Sequence, residues 1–186
     1  MIFPIVLYGD PVLKKKAAEV AEGDDSVKEF VEHMFETMYA AQGVGLAAPQ
    51  VGQSLRVFVI DTTPMEDEDE GGIKGIKKAF INPVMIEELG EEWAFEEGCL
   101  SIPGIRADVN RKPTIKIEYF DEDWNLQEET FDGMKARVIQ HEYDHIEGKL
   151  FTDYLTPFKK RLIKGKLANI SKGKTDAEYR VRIPKT

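Results

Sequence analysis

Apolar residues recur at helical spacing early in the chain. This spacing predicts an amphipathic helix that begins with a capping box at residues 26–29 and stops at Gly43. Its core-facing stripe comprises Val27, Phe30, Val31, Met34, Phe35 and Met38. His33 falls off this stripe, so we expect it to lie at the surface.

Shorter apolar runs and alternating patterns in the middle of the chain predict β-strands. The predicted strands are residues 55–61, 78–84, 92–96, 114–120 and 126–131. We expect the second of them to close at Asn82-Pro83, and we expect a turn at Pro103-Gly104. The last two are joined by a hairpin turn.

Helical spacing returns after the last predicted strand. Asp132 can cap this second helix and Gly148 can end it. One of its faces carries Met134, Val138, His141 and His145. A basic, amphipathic helix is predicted to follow Thr156-Pro157, and we expect residues 172–186 to be a frayed tail.

These elements predict an α+β fold in which antiparallel β-sheets pack around a central helix that carries the H-E-x-x-H sequence. Residues 1–186 are expected to form one domain, since 186 residues are enough to bury a proper core. The acidic, glycine-rich stretch 64–75 is interpreted as a solvated loop. Calcium binding is the alternative there, although the stretch lacks the spacing of an EF-hand.

Composition and charge narrow the class of protein. A net charge of −9 argues against nucleic acid or an anionic membrane as the main partner. The single cysteine excludes an internal disulfide and fits a reducing compartment. The sequence has no segment typical of a signal peptide or a transmembrane helix, so we expect a cytoplasmic location.

The sequence Gln140-His-Glu-Tyr-Asp-His145 is the strongest chemical signal in the chain. Residues four apart share one face of a helix, so His141 and His145 can bind one cation. Glu142 lies beside that face and suits a general base that acts on an activated water. The alternative is a helix that carries two histidines by chance.

Two histidines leave a catalytic metal site short of one protein ligand. The downstream candidates, Asp153 and Glu178, do not follow the pattern of zincin proteases. Cys99 stands upstream in a glycine-flanked turn, where a thiolate could complete the site. A buried, reduced structural thiol is the alternative, and composition alone favours it.

Three segments stand in the order and rough spacing of the signature motifs of the peptide deformylase family. They are GVGLAAPQ at residues 43–50, EGCLS at residues 97–101 and QHEYDH at residues 140–145. The chain resembles that family, in its bacterial form, over nearly its full length. The stretch 64–75 and the polar tail depart from the family, but neither touches a motif.

The resemblance implies a metal-dependent hydrolase that removes the N-formyl group from the initiator methionine of nascent polypeptides. The implied ligands of one divalent cation per chain are Cys99, His141 and His145. Ferrous iron is the expected cation, and zinc, nickel or cobalt can substitute. Glu142 becomes the acid/base, while the backbone N–H of Leu100 and the side-chain amide of Gln50 stabilise the oxyanion.

The resemblance also implies how a peptide binds. Backbone that would pair with the substrate as an added strand belongs to Val44, Gly45, Leu46, Glu97 and Gly98. The pocket for the methionine side chain would be lined by Val44, Phe95, Met134, Val138 and the ring of His141. For Phe95 and Val138, ordinary core packing is an equal alternative.

Two arginines complete the expected site. Arg106 matches a family position near the peptide carbonyls of the substrate, and a surface salt bridge is its alternative. Arg137 lies one turn before His141, where an apolar residue is expected in the family. We expect the stem of Arg137 to flank the pocket and its charged head to reach solvent at the mouth.

The implied partners are N-formylmethionyl nascent peptides and the ribosome near its exit tunnel, with no membrane partner and a monomeric state. Two rival functions remain at this point. One is an H-E-x-x-H peptidase with another third ligand, and the other is a catalytically silent homologue that acts as a binding module.

Overall fold

The computed structural model describes residues 1–65 and 74–185. Most of the acidic stretch 64–75 therefore lies outside the described residues. The α-helices of the described ranges are α1 (Ser26–Ala40), α2 (Gly133–Ile146) and α3 (Pro157–Ser171). Their strands are β1 (Ile5–Val6), β2 (Gly45–Ala47), β3 (Val57–Asp61), β4 (Lys77–Leu89), β5 (Trp93–Cys99), β6 (Ile102–Arg111), β7 (Thr114–Phe120), β8 (Leu126–Asp132) and β9 (Val181–Arg182).

The largest sheet has five strands in the order β2-β3-β4-β7-β8, and every neighbouring pair in it is antiparallel. Strands β5 and β6 form a separate antiparallel hairpin. Strands β1 and β9 pair in parallel, which the sequence did not predict. The expected class, helices packed on antiparallel sheets, is confirmed.

Helix α2 lies at the centre of this arrangement. It contacts β2, β3, β7 and β8, and its residues Ala136 and Ile139 are fully buried against the stacked rings of Phe58 and Phe80. Apolar side chains therefore fix one side of α2, and the remaining side is free to carry polar residues toward the hairpin. No helix within the described ranges is long and apolar enough to span a membrane.

Helix α1 confirms the predicted core stripe but not the predicted cap. Val27, Val31, Met34 and Met38 are all buried, and they pack against β2 and β3. The capping box at residues 26–29 was wrong, because the Ser26 hydroxyl donates to Asp24 Oδ1, at 2.6 Å, instead of accepting from the helix. His33 is also less exposed than expected.

The structure corrects two strand ends. β4 does not close at Asn82-Pro83: it continues to Leu89 through a shift of register, and Asn82 takes a left-handed backbone angle of 49°. The Asn82 side chain offsets this strain by bonding both the N–H and the carbonyl of Val20, each at 2.8 Å. Pro103-Gly104 lies inside β6, and the chain reverses at residues 100–101 instead.

The end of the chain is partly as expected. Helix α3 begins after Thr156, whose hydroxyl oxygen accepts from the N–H of Lys159 at 3.2 Å. Asp132 precedes α2 but makes no side-chain cap. The expectation of a frayed tail is wrong where β9 forms, because Val181 pairs with Ile5 and thereby ties the last described residues to the first.

Candidate metal centre and active-site cleft

Three potential metal ligands meet between α2 and the β5–β6 hairpin. Cys99 ends β5, while His141 and His145 project from one face of α2, one turn apart. One donor atom from each of these residues lies within 4.8 Å of the other two, and Cys99 Sγ is 3.5 Å from Nε2 of His145. The structure thus brings Cys99, which lies more than 40 residues upstream in the sequence, beside the two histidines of α2.

The chemistry of these donors fits a divalent transition metal. A thiolate and two imidazoles are borderline-soft ligands that suit ferrous iron, cobalt, nickel and zinc. Burial and the neighbouring His141 lower the pKa of His145 well below its usual value, which leaves the imidazole neutral as a ligand must be. In the part of the chain that the structure describes, Nδ1 of His145 is buried without a hydrogen-bond partner.

A buried carboxylate orients the other imidazole. Oε1 of Glu97 lies 2.8 Å from Nδ1 of His141, and Arg111 binds both carboxylate oxygens, at 2.7 and 3.0 Å. Burial opposes the charge of Glu97, but hydrogen bonds from His141 and Arg111 outweigh it and lower the pKa of Glu97 to about 2. An ionised carboxylate only accepts, so Nδ1 of His141 carries the proton and its Nε2 is left for a cation.

The sequence did not predict this hydrogen-bonded network of Glu97, His141 and Arg111. It suggested only a backbone role for Glu97. Nη1 of Arg111 also donates to Asp144 Oδ2 at 2.9 Å, so Arg111 joins the hairpin to α2 directly through Asp144, and Glu97 joins it through His141. The only sequence signal was alternation in β6, which places Arg111 on the buried side with Val109. No motif spacing pointed to Arg111 or to the side chain of Asp144.

Arg137 contradicts the expectation that its head reaches solvent. Its side chain is 2% exposed, and Nη1 donates to Glu97 Oε2 at 2.6 Å and to the carbonyl of Val109 at 2.9 Å. Nη2 donates to the carbonyl of Trp93 at 2.6 Å, and the guanidinium lies 4.2 Å from the centre of the Trp93 ring. An anion and two carbonyls replace water at Nη1 and Nη2, while Nε is buried without a hydrogen-bond partner among the described residues.

A cleft of about 570 Å³ opens beside these residues. Nearly all of the expected substrate-binding residues line it, namely Val44, Gly45, Phe95, Glu97, Gly98, Arg106, Met134, Arg137 and Val138. Leu46 does not, because its side chain is fully buried in the core between α1 and β3. Arg106 also makes the surface salt bridge that was its alternative, to Glu96 at 2.8 Å.

Glu142 faces this cleft from α2. Burial raises the pKa of Glu142 to about 7, and its Oε2 has no hydrogen-bond partner among the described residues. Gly45 is required here, since a Cβ at that position would lie 2.5 Å from Oε1 of Glu142. A carboxyl group poised near neutral pH and free on one oxygen is suited to proton transfer.

The two expected oxyanion donors adjoin the thiol. Gln50 is 1% exposed, and its Nε2 lies 3.3 Å from Cys99 Sγ and 3.2 Å from the hydroxyl of Ser101. Oε1 of Gln50 accepts from the N–H of Ala47 at 3.0 Å, which fixes the orientation of the amide. Leu100 occupies the turn after Cys99 and also lines the cleft.

Tyr179 is a further residue of the cleft that the sequence did not reveal, because it falls in the expected tail. Its hydroxyl donates to the carbonyl of Leu100 at 2.6 Å.

A cysteine sulfur, two imidazoles and a glutamate with one unpartnered oxygen meet at one cleft, and together they define the candidate site of a metal-dependent hydrolase. The family model described as polypeptide deformylase matches residues 2–161. The chain belongs to this family, whose members are hydrolases that remove the N-formyl group from nascent chains.

Individual relatives agree with this assignment. The peptide deformylase of Cytophaga hutchinsonii is 61% identical over 99% of this chain and 98% of its own length. That of Christiangramia forsetii is 58% identical over 99% of this chain and 97% of its own. The crystal structure of a peptide deformylase from Legionella pneumophila, 39% identical, superposes with a TM-score of 0.80 over 92% of this chain and 96% of its own.

Proposed function

We propose that this member of the family deformylates the initiator methionine of nascent polypeptides with one divalent cation held by Cys99, His141 and His145. The observation that carries the proposal is the convergence of these three donors beside Glu142 in one cleft. When bound, the cation polarises the formyl carbonyl and lowers the pKa of water toward neutrality. Ferrous iron is the cation we favour, with zinc, nickel and cobalt as substitutes.

Glu142 is the proposed acid/base. It takes the proton of the attacking water and delivers it to the amine that leaves when the formyl C–N bond breaks. Its raised pKa of about 7 suits both steps, because the group can hold or release a proton near neutral pH. Burial also shields this proton transfer from bulk water.

We assign stabilisation of the negative charge that develops on the formyl oxygen to two hydrogen-bond donors of the chain. The backbone N–H of Leu100 and the amide of Gln50 flank the thiolate, and Oε1 of Gln50 is already fixed by Ala47. Removal of one such donor typically lowers kcat by about 10²–10³-fold. Because both donors are held before the substrate arrives, little reorganisation is needed during the reaction.

The proposed substrate geometry uses the edge of the main sheet. β2 is the outermost strand beside β3. Its first residue, Gly45, and the preceding Val44 line the same cleft as Gly98 of β5. An extended peptide can therefore be added between them by backbone pairing. The methionine side chain is assigned to the pocket formed by Phe95, Met134, Val138 and the ring of His141.

Arg106 lies at the rim of this cleft, in exposed contact with Glu96. We propose that Arg106 donates hydrogen bonds to peptide carbonyls of the substrate and gives up its ion pair with Glu96 to do so. The loss costs little, because a surface ion pair contributes little to stability.

The setting of the reaction is a further part of the proposal. Helix α3 carries Lys159, Lys160, Arg161, Lys164 and Lys166 and no acidic residue, although the chain as a whole has a net charge of −9. Phe158 and Leu162 are exposed on the same helix. These features support docking of α3 to the ribosome near the exit tunnel. The remaining part of the proposal is that the protein acts as a monomer of one domain in the cytoplasm.

The experiment that tests the function measures formate release from formyl-Met-Ala-Ser by the protein, purified and assayed without oxygen. Glu142→Gln serves as the matched variant, because it keeps the three proposed ligands and removes proton transfer. We expect a loss of at least about 10²-fold in kcat with about one metal per chain retained.

Two outcomes would contradict the proposal. Absence of formate release by the metal-loaded wild type would support a silent homologue. Cleavage of the Met–Ala bond in place of the formyl group would support an H-E-x-x-H peptidase.

A further inference from the structure

We propose that Tyr179 is a positioning residue of the active site, and that the segment after α3 clamps the turn formed by residues 99–101. This inference rests on the proposed function, because that turn carries the proposed ligand Cys99 and the oxyanion donor Leu100. It assigns a role in the reaction to a part of the chain that the sequence suggested was a frayed tail.

The clamp holds the turn through its backbone. The Tyr179 hydroxyl donates to the carbonyl of Leu100 at 2.6 Å, and the N–H of Tyr8 donates to the carbonyl of Ser101 at 2.8 Å. Two consecutive carbonyls are therefore fixed from outside the hairpin. A carbonyl that accepts from a partly buried hydroxyl holds one backbone orientation, and the atoms on either side of it are held with it.

Side chains complete the clamp. The hydroxyl of Ser101 is buried and lies 3.2 Å from Nε2 of Gln50, which joins the turn to the second oxyanion donor. Leu100 packs closely on Gly43, where an added Cβ would lie 2.9 Å from Cδ1 of Leu100. The ring of Tyr179 packs with Leu100 against the same core cluster. The turn thus has few ways to move once the hydroxyl is in place.

Tyr179 is itself anchored by the pairing of β1 with β9. The N–H of Ile5 donates to the carbonyl of Arg180 at 2.9 Å, and the N–H of Leu7 donates to that of Arg182 at 3.1 Å. The two carbonyl-binding groups of the clamp, from Tyr8 and Tyr179, therefore lie on the two paired segments. The pairing of β1 with β9 therefore holds the Tyr179 hydroxyl and the Tyr8 N–H where they reach the carbonyls of two adjacent residues, Leu100 and Ser101.

Of the two carbonyl-binding groups of the clamp, Tyr8 lies within the residues that the family model matches and Tyr179 lies outside them. The family model ends at residue 161, whereas Tyr179 lies in the segment beyond it. The reaction chemistry is thus carried by the matched region. The segment beyond residue 161 acts on that chemistry only through the position of residues 99–101, so its loss should change the rate and the metal geometry without abolishing either.

The test replaces Tyr179 with Phe, which removes the hydroxyl and keeps the ring. Tyr119→Phe is the matched control: the Tyr119 hydroxyl also donates within the protein, to Glu129, but it lies in the core beneath the main sheet. Nickel-loaded proteins are assayed for kcat and KM with formyl-Met-Ala-Ser. Cobalt-loaded proteins are compared by their thiolate-to-cobalt absorption, which reports the geometry at Cys99, and by competition with a chelator.

We expect Tyr179→Phe to lower kcat about tenfold, to leave KM within about twofold, and to shift the cobalt–thiolate absorption. Tyr119→Phe should lower the melting temperature and leave kcat and the absorption unchanged. A kcat within twofold of wild type, a fall confined to KM, or an equal fall in the control would each overturn the clamp. If the phenylalanine variant accumulates poorly, Tyr179→Leu repeats the test.

A failure of the clamp can be told apart from a failure of the proposed function. If the wild type releases no formate, the proposed function fails, and the absorption and the chelator competition alone decide whether Tyr179 positions Cys99. If the wild type is active and the Tyr179 variants match it in kcat and absorption, only the clamp is refuted.

Discussion

Replacement of Arg137 by leucine should be far more costly than its place beside an apolar pocket suggests. The substitution removes three hydrogen bonds, to Glu97 and to the carbonyls of Trp93 and Val109. It also removes the stacking of the guanidinium on the Trp93 ring. Leucine fills part of the volume but offers no donor, so two buried carbonyls lose their partner.

The magnitude follows from how much of the network survives. Breaking a buried ion pair costs about 3–5 kcal/mol when the remaining charge is left alone. Here Glu97 keeps both bonds from Arg111 and the one from His141, so we expect the lower end, about 3 kcal/mol. For a chain of this size that corresponds to a fall in melting temperature of about 6–12 °C. Because His141 stays oriented, kcat should fall less than about tenfold.

The assay is thermal unfolding of the metal-free protein, followed by kcat of the metal-loaded protein. Lys135→Leu is the matched control, since it removes a cation from the same helix and Lys135 makes no ion pair within the described ranges. A melting temperature for Arg137→Leu within 2 °C of the control would refute the reasoning. It would show that solvent, and not Glu97, satisfies the guanidinium.

Three other predictions concern the metal centre. Cys99→Ala should lose most of its metal affinity, because only two ligands remain, and wild-type metal content at equal free metal would contradict the assignment. An iron-loaded protein should lose activity in air faster than the nickel or zinc forms, since a ferrous thiolate centre can oxidise at metal or sulfur; equal rates would count against this. The pKa of Glu97 is lowered to about 2 from an ordinary 4.5. Its ionised form therefore contributes fully to the free energy of unfolding above pH 4.5, and this contribution is lost as the pH falls toward 2. Unfolding free energies measured across that range should therefore fall with acid in the wild type and fall less in Glu97→Gln, and equal slopes would disprove the linkage.

Spacing carried most of the information that the sequence held about the site. Two histidines four residues apart must share a helical face, so their meeting follows from helix geometry alone. Cys99 could be joined to them only by resemblance, because nothing in the local pattern of β5 fixes its distance from α2. The α+β class was predictable for a similar reason, since the periods of the long segments are regular.

Local patterns failed where a group outside the pattern binds the same side chain. A capping box at residues 26–29 was a reasonable prediction, but the N–H and the hydroxyl of Ser26 both donate to Asp24 Oδ1 instead. Arg137 was expected to reach water because its only anion, Glu97, belongs to another element and could not be placed from spacing. The pairing of β9 was unpredictable for a different reason, since β9 is only two residues long and one of the two is an arginine.

The parallel pairing of Ile5 with Val181 also constrains the order of assembly. Of all the strand pairs in the described chain, it joins the residues farthest apart in sequence, so it bears the largest entropy of loop closure. During synthesis, residues 99–101 emerge long before residue 179 exists, whereas Tyr8 is available from the start. The hairpin and α2 can therefore fold and bring the proposed ligands together while the turn is held from one side only. Full activity should then appear as a late event of biosynthesis, after the bulk of the protein has already folded.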